Sequence, residues 1–226
     1  PFDEDQGMVS AMARAVVDPT AAAIAAKLDG AAVTPLTADG ASWIVVKKAW
    51  YPSTADRFDE LWDLARPTER RVLTVYGRQC QENRYSLSWG PSYQYSGQVA
   101  EGLPIPPDSF VADLMAKCQC IAPVNGCLQN WYEPDHHIGV HSDDERALVR
   151  QSPILALSWG ATRRFLIKPK DPADRRVDLE LEDGDFLVMG GTTQQTHKHE
   201  IPRPRVKDPY PRGRRISWTF RNFKLE

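Results

Sequence analysis

From Asn130 to Glu145 the chain reads Asn-Trp-Tyr-Glu-Pro-Asp-His-His-Ile-Gly-Val-His-Ser-Asp-Asp-Glu, and two short pairs in it are spaced for chemistry. Asn130 and Tyr132 stand two residues apart. His141 and Asp143 do the same, starting nine residues beyond Tyr132. On an extended chain, residues i and i+2 project to one side. One imidazole and one carboxylate would then converge on a point, as two legs of a metal site must. Two histidines and one carboxylate that leave coordination positions open suit non-haem Fe(II) in an oxygenase. A His-x-Asp pair alone does not carry that reading, so the remaining parts have to come from elsewhere in the chain.

A third ligand must lie later. His197 and His199, in Thr193-Gln194-Gln195-Thr196-His197-Lys198-His199-Glu200-Ile201-Pro202, share strand parity, and spacing does not choose between them. His136 and His137 compete as well, but a Pro-Asp-His-His turn places them facing solvent. Beyond these comes Arg214-Arg215-Ile216-Ser217-Trp218-Thr219-Phe220-Arg221. Alternation puts Arg215, Ser217, Thr219 and Arg221 on one face and packs Ile216, Trp218 and Phe220 on the other. Two arginines facing into a barrel are costly without anions. A dicarboxylate ligand would remove that cost, because guanidinium holds carboxylate in a bidentate fork.

The elements that must position these groups follow from pattern. Residues 7–28 are alanine-rich and read as helix interrupted near Pro19. Residues 41–51 read as a strand. Residues 53–65 read as a helix capped by Ser53 or Thr54, with Phe58, Leu61, Trp62 and Leu64 as its apolar stripe. Residues 71–76 read as strand, and 77–97 as hairpin material with exposed tyrosines and a tryptophan. Residues 108–117 read as a capped helix with Phe110, Leu114 and Met115 inward. From Asn125 on, short strands are expected at 126–132, 138–141, 153–159, 163–168, 177–181, 185–189, 196–200 and 215–223. About eight short strands after a helical preface describe a double-sheet jelly roll or cupin-like barrel.

Composition sets the outer bounds. The 226 residues are 42% hydrophobic and 26% charged, which is ordinary for a folded domain, and the length suits one domain. No apolar run is long enough to span a bilayer, so a membrane protein is not expected. The chain opens on Pro-Phe-Asp-Glu-Asp without a methionine or a basic-then-apolar leader, which proves little about targeting, and the compartment, intracellular in nucleus or cytoplasm, stays open. Cys80, Cys118, Cys120 and Cys127 match no zinc spacing and read as reduced thiols. The net charge of −2 does not by itself suggest a nucleic-acid binder. Its distribution says more: residues 197–226 carry nine Lys or Arg against three acids, and Arg163, Arg164, Lys168, Lys170, Arg175 and Arg176 form a second basic cluster. Such asymmetry is compatible with a polyanion lying across one face and equally with solvated surface charge.

Taken in order, Asn-x-Tyr, His-x-Asp, His-x-Ile-Pro and Arg-x5-Arg resemble the AlkB family of Fe(II)- and 2-oxoglutarate-dependent nucleic-acid dealkylases, nearest its DNA-repair branch. The likeness covers roughly residues 70 to 226 and extends to Tyr95-Ser96-Gly97, Ser152-Pro153-Ile154, Leu157-Ser158-Trp159-Gly160, Leu181-Glu182-Asp183-Gly184-Asp185 and Trp218-Thr219-Phe220-Arg221. The resemblance implies iron ligation by His141, Asp143 and His199. It selects His199 over His197 because the family's last histidine precedes any residue, an aliphatic one and a proline. It implies that Arg215 pairs with the distal carboxylate of 2-oxoglutarate and that Asn130, Tyr132 and Arg221 hold the rest. Ser217 stands where some members have asparagine. Glu145 would hydrogen-bond a flipped base, with Tyr93, Tyr95 and Trp89 stacking on it or shaping its pocket.

The fold so implied is α+β, a double-stranded β-helix with N-terminal helices packed on the sheet. It forms one domain over 1–226: an extension to residue 70, a nucleotide-recognition region over 71–124 and a catalytic core from 125. The implied function is oxidative demethylation of N-methyl adenine or cytosine lesions in nucleic acid, DNA rather than RNA, by a monomer. Fe(II), 2-oxoglutarate and dioxygen would serve it, with formaldehyde released. A base inside a duplex must be flipped out first. The alternatives are an RNA demethylase or nucleobase carbon hydroxylase of the same family, and then a non-catalytic nucleic-acid-binding module.

Overall fold

Asp18 begins the first described element, its carboxylate accepting from the backbone N–H of Thr20 at 2.7 Å and of Ala21 at 3.2 Å. In the computed structural model, which describes residues 18–64, 66–75, 77–95 and 98–225, helix α1 (Pro19–Lys27) starts at that proline. The sequence suggested an interruption there. A proline at the first helical position loses no hydrogen bond, so Pro19 starts the helix instead. The expected helix before it lies outside the described residues.

The chain continues through β1 (Val33–Pro35), β2 (Ser42–Lys47), α2 (Ala55–Leu64), β3 (Val72–Val75) and β4 (Arg78–Gln81). Next come β5 (Tyr85–Trp89), β6 (Tyr93–Tyr95), β7 (Gln98–Ala100), β8 (Gly102–Leu103) and α3 (Phe110–Gln119). Thr54 and Ser109 supply the N-terminal hydroxyl acceptors for α2 and α3. From Gly126 the strands are β9 (Gly126–Tyr132), β10 (Ile138–His141), β11 (Ile154–Gly160), β12 (Arg163–Pro169), β13 (Val177–Leu181) and β14 (Phe186–Gly191). A short helix α4 (Thr193–Thr196), which the sequence did not suggest, leads into β15 (His197–Ile201); β16 (Arg215–Arg221) closes the fold.

Two sheets face each other in a jelly roll, the double-stranded β-helix. The major sheet runs β1-β2-β14-β11-β16-β9-β5-β8 and the minor one β10-β15-β12-β13. Strands from the N-terminal part and from the hairpin region are thus hydrogen-bonded into the same sheet as the later ones. Beyond them, β3–β4 and β6–β7 form separate two-stranded ribbons.

Each face of the major sheet has its own core. On one side Trp159, Trp218, Trp131 and Phe186 meet α1, α2 and α3 through Ile24, Phe58, Trp62 and Leu114. On the other side Tyr132, Ala156, Leu187 and Met189 meet Phe165, Ile167 and Ile201 of the minor sheet. Burial on both faces explains why β11, apart from Ser158, and β14 are apolar without alternation. β14 approaches β2 so closely that a Cβ on Gly190 would lie 2.1 Å from the Trp43 ring.

Candidate active site

β16 sets one wall of the site. It pairs with β9 so that Arg215 faces Tyr132, Ser217 faces Asn130 and Thr219 faces Leu128. Directly opposed residues point to the same side of a sheet, so these six side chains share one face. They line a cavity between the sheets, and Ile216, Trp218 and Phe220 turn to the helix-covered core. The alternation expected for residues 215–221 is therefore present.

β10 and β15 of the minor sheet supply the opposite wall. Ile138 pairs with Ile201 and His141 with His199, which leaves one extra residue on β10 between them, a β-bulge. Across this pair the two imidazole rings lie 4.2 Å apart, and His199 Nε2 is 3.6 Å from Asp143 Oδ2. One ligand atom each from His141, Asp143 and His199 falls within a 4.8 Å span. Burial lowers the pKa of both histidines, that of His199 to about 3 with His141 beside it contributing, so both rings are neutral. Burial alone would raise the Asp143 carboxyl, but the Arg221 guanidinium beside it outweighs this and holds it below its ordinary value. Neutral imidazoles and an ionised carboxylate are the forms that bind a metal. His141 Nδ1 donates to the Gly139 carbonyl at 2.8 Å, which leaves Nε2 with its lone pair toward the cluster. The donor set fits Fe(II).

His197 is placed elsewhere. Its Nε2 donates to the Arg175 carbonyl at 3.1 Å and its Nδ1 accepts from the Thr196 hydroxyl at 2.8 Å, so both ring nitrogens are engaged. The turn histidine His136 is buried rather than facing solvent, because its Nδ1 accepts from the Glu133 backbone N–H at 3.1 Å.

At the inner end of the cavity Arg215 is almost wholly buried. Its Nη2 donates to Ser158 Oγ at 2.7 Å and its guanidinium lies 5.1 Å from the Tyr132 ring centroid. Nε and Nη1 have no hydrogen-bond partner among the described residues. Burial pulls this arginine down to about 10. A buried cation with two unused donors is an anion site.

Arg221 sits differently from the sequence expectation. It is paired within the protein, with Asp143 Oδ1 through Nη2 and with Glu145 Oε1 at 3.3 Å through Nη1, and it donates to the Tyr93 hydroxyl at 3.3 Å. The anions offsetting its charge are therefore protein carboxylates, and the argument for a dicarboxylate ligand rests on Arg215. Burial raises the Glu145 carboxyl against the pull of Arg221. Asn130 is engaged too. Its Oδ1 accepts from Arg84 Nε at 2.8 Å, and Arg84 pairs at 3.1 Å with Glu82, which accepts from Ser86 Oγ at 2.6 Å. Nothing in the spacing of Glu82, Arg84 and Asn130 announces this buried network, because its members meet only through the pairing of β5 with β9.

The aromatic candidates divide. Tyr93 is buried, not exposed, its ring 4.9 Å from Phe223 and its hydroxyl on Arg221. Trp89 pairs opposite Cys127, out of phase with Asn130, and packs against the helix-covered core with its indole N–H on Gln129 at 3.0 Å. Strand parity thus takes Trp89 off the cavity face. The side chain of Tyr95 lies outside the described residues. The basic cluster divides as well. Arg163 is buried on the carbonyls of Gly213 and Glu133, Arg164 is paired with Asp178, and Lys168 with Glu200. Lys170, Arg175 and Arg176 are exposed, and Lys170 joins Lys198 and Arg146 around His141 and Glu145 at the cavity mouth.

The sequence profile of the 2OG-Fe(II) oxygenase superfamily matches residues 54–221. The chain is 34% identical over 166 residues to the DNA oxidative demethylase ALKBH2 of Mus musculus, covering 66% of this chain and 65% of that one. It is 36% identical over 106 residues to the alpha-ketoglutarate-dependent dioxygenase alkB homolog 3 of Rattus norvegicus, covering 43% of this chain and 35% of the relative. The chain thus spans less than two thirds of the length of these relatives. Among solved structures, that titled "The structure of OsALKBH1" shares the fold with a TM-score of 0.53 at 20% identity, over 79% of this chain and 97% of that chain.

Proposed function

This chain belongs to the AlkB family of the 2OG-Fe(II) oxygenase superfamily, and from that membership we propose that it removes methyl groups from alkylated nucleic-acid bases by oxidation. The observation that carries the proposal is the convergence of His141, Asp143 and His199 within 4.8 Å, facing a cavity that also holds the buried Arg215. His141, Asp143 and His199 are the iron ligands of this reading. Fe(II) bound there would activate dioxygen, with 2-oxoglutarate as the co-reductant. One oxygen atom leaves in succinate as carbon dioxide is lost, and the other enters the N-methyl group. The C–N bond of the resulting N-hydroxymethyl base then breaks, releasing formaldehyde; its electron pair stays on the base nitrogen, and the hydroxyl proton passes to solvent or, for an exocyclic amine, to that nitrogen.

The chain's own residues bind and orient. Arg215 takes the distal carboxylate of 2-oxoglutarate on its unengaged guanidinium N–H groups, over Tyr132, while Asn130 and Ser217 face the rest of the cosubstrate. Arg221 holds one oxygen of Asp143, leaving Oδ2 turned toward His199. Glu145, at the mouth and tied to Arg221, accepts a hydrogen bond from an exocyclic amine of the flipped base. Tyr93 shapes the same corner from beneath. The exposed Lys170, Lys198 and Arg146 at the mouth favour a polyanionic substrate, and the likeness to the DNA oxidative demethylase ALKBH2 favours DNA as that substrate. Residues 71–124 serve as the recognition region of this one-domain reading.

The test is a panel: succinate and formaldehyde release with Fe(II) and 2-oxoglutarate on methylated DNA and RNA oligonucleotides, single- and double-stranded. DNA is expected to turn over best, and His141→Ala is expected to abolish release. Full activity in that variant would remove the metal assignment. Succinate without formaldehyde on every oligonucleotide would remove the demethylase reading and leave the oxygenase one.

A further inference from the structure

We propose that Gln194 is a positioning residue for the metal site, holding the Asp143 backbone through a side-chain hydrogen bond where strand pairing has run out. The inference rests on the metal reading of His141, Asp143 and His199.

The β10–β15 ladder ends at His141, so the two residues after it receive no backbone partner from β15. Side chains take over. Ser142 Oγ donates to the His197 carbonyl at 2.9 Å, and the Asp143 N–H donates to Gln194 Oε1 at 2.9 Å. Gln194 is itself buried, and its Nε2 lies 3.7 Å from the Met189 sulfur, which fixes which end of the amide faces Asp143.

The base from which Gln194 reaches is rigid. Thr193, its neighbour in α4, accepts from the Trp43 backbone N–H at 3.1 Å and donates to the Gly190 carbonyl at 2.6 Å. Ser42 binds the hydroxyls of Thr192 and Thr196, each at 2.7 Å, and so staples both ends of the helix to β2. Asp143 is then fixed at two points: its N–H by Gln194 and its Oδ1 by Arg221. With both held, Oδ2 is the oxygen presented to His199. Remove the first hold and the main chain of Asp143 can rotate about the second, carrying Oδ2 out of line with the two histidines. A buried N–H would also be left unsatisfied.

The experiment is a Mn(II) titration of the full-length metal-free chain, free Mn(II) being read by electron paramagnetic resonance, with 2-oxoglutarate present. Gln194→Met keeps the length and removes the acceptor, and it is expected to weaken Mn(II) binding about 10- to 100-fold, as loss of an outer hydrogen-bond partner does. Gln194→Glu keeps an acceptor oxygen and is expected to bind Mn(II) at least as tightly as the parent. Gln195→Met, at the exposed neighbouring position, is expected to leave the affinity unchanged. A purely structural role for Gln194 would lower the melting temperature in both Gln194 variants and leave their Mn(II) affinity alone. Binding by Gln194→Met within about threefold of the parent overturns the inference, as does binding by Gln194→Glu as weak as that of Gln194→Met. If Gln194→Met does not fold, Gln194→Ala carries the same expectation without adding bulk beside Met189. Failure of the parent chain to bind Mn(II) overturns the metal reading itself, and this inference with it.

Discussion

Replacing Arg215 with methionine separates a residue kept for a ligand from one kept for the fold. Burial pulls the guanidinium down from an arginine's ordinary value to about 10. At about 1.36 kcal/mol per pKa unit, the uncompensated charge costs about 3 kcal/mol. Its internal return is small: one hydrogen bond to Ser158 and the Tyr132 ring. A methionine of similar length removes both the cost and that return, so the metal-free protein should keep its stability or gain about 1–3 kcal/mol. Binding should respond quite differently. A carboxylate held bidentate by the guanidinium gains two charge-assisted bonds of about 1.5–3 kcal/mol each. Losing about 3 kcal/mol raises the 2-oxoglutarate Kd by about 100-fold. Calorimetric titration of the Mn(II)-loaded protein with 2-oxoglutarate reads the second effect, and denaturant unfolding of the metal-free protein reads the first. Arg214→Met is the control, because Arg214 is half-exposed and paired with Asp59 at 2.6 Å, away from the cavity. A 2-oxoglutarate Kd within threefold of the parent for Arg215→Met would refute the anion-site argument. So would a stability loss above about 3 kcal/mol, which would make Arg215 a structural residue.

Other perturbations read other parts of the molecule. Gly190→Ala drives a methyl to 2.1 Å from Trp43, and it should lower stability by about 1–3 kcal/mol or more in chemical denaturation; unchanged stability would mean β2 and β14 can separate without cost. Lys170→Glu with Lys198→Glu should weaken oligonucleotide binding across sequences and reduce the salt slope by about 1 per lost phosphate contact, measured by fluorescence anisotropy over a salt series. An unaltered slope would place the nucleic acid elsewhere. Glu145→Ala should leave 2-oxoglutarate affinity near that of the parent and lower kcat/KM on methylated bases by about tenfold or more, the worth of one hydrogen bond to a charged group; equal loss of both would show that Glu145 acts through Arg221 and Asp143.

What the sequence makes legible here is local. The bounds of β9, β10 and β13 follow from short alternating or apolar runs ended by turn residues, and β16 follows from strict alternation. The convergence of His141 with His199 is not local. It depends on a one-residue bulge in β10, which no spacing rule reports, and family likeness pointed to His199 where parity left His197 equal. Partner choice is hidden in the same way. Arg221 looked like a second ligand clamp because its carboxylates, Asp143 and Glu145, come from a strand end some eighty residues earlier. Tyr93, His136 and Trp89 were read as surface or pocket groups because polar and aromatic residues in turns usually are. Two buried hydrogen bonds and one strand register decide otherwise. The α4 turn has no apolar period at four residues, so neither it nor Gln194 is visible without the fold.

Strand β16 carries a consequence for how this protein tolerates change. Its odd positions face the cavity between the sheets and its even positions face the tryptophan-rich core, so two demands are written on one strand and separated by half a turn of the backbone. Substitution at 216, 218 or 220 would register as lost folded protein with the chemistry of the survivors intact. Substitution at 215, 217 or 219 would register as altered chemistry in a protein that still accumulates, whereas Arg221, paired with Asp143 and Glu145, serves both demands. Drift in what the cavity accepts can therefore proceed on one comb of residues without loosening the other. A library randomised at 217 and 219 alone would explore new ligands at nearly constant stability.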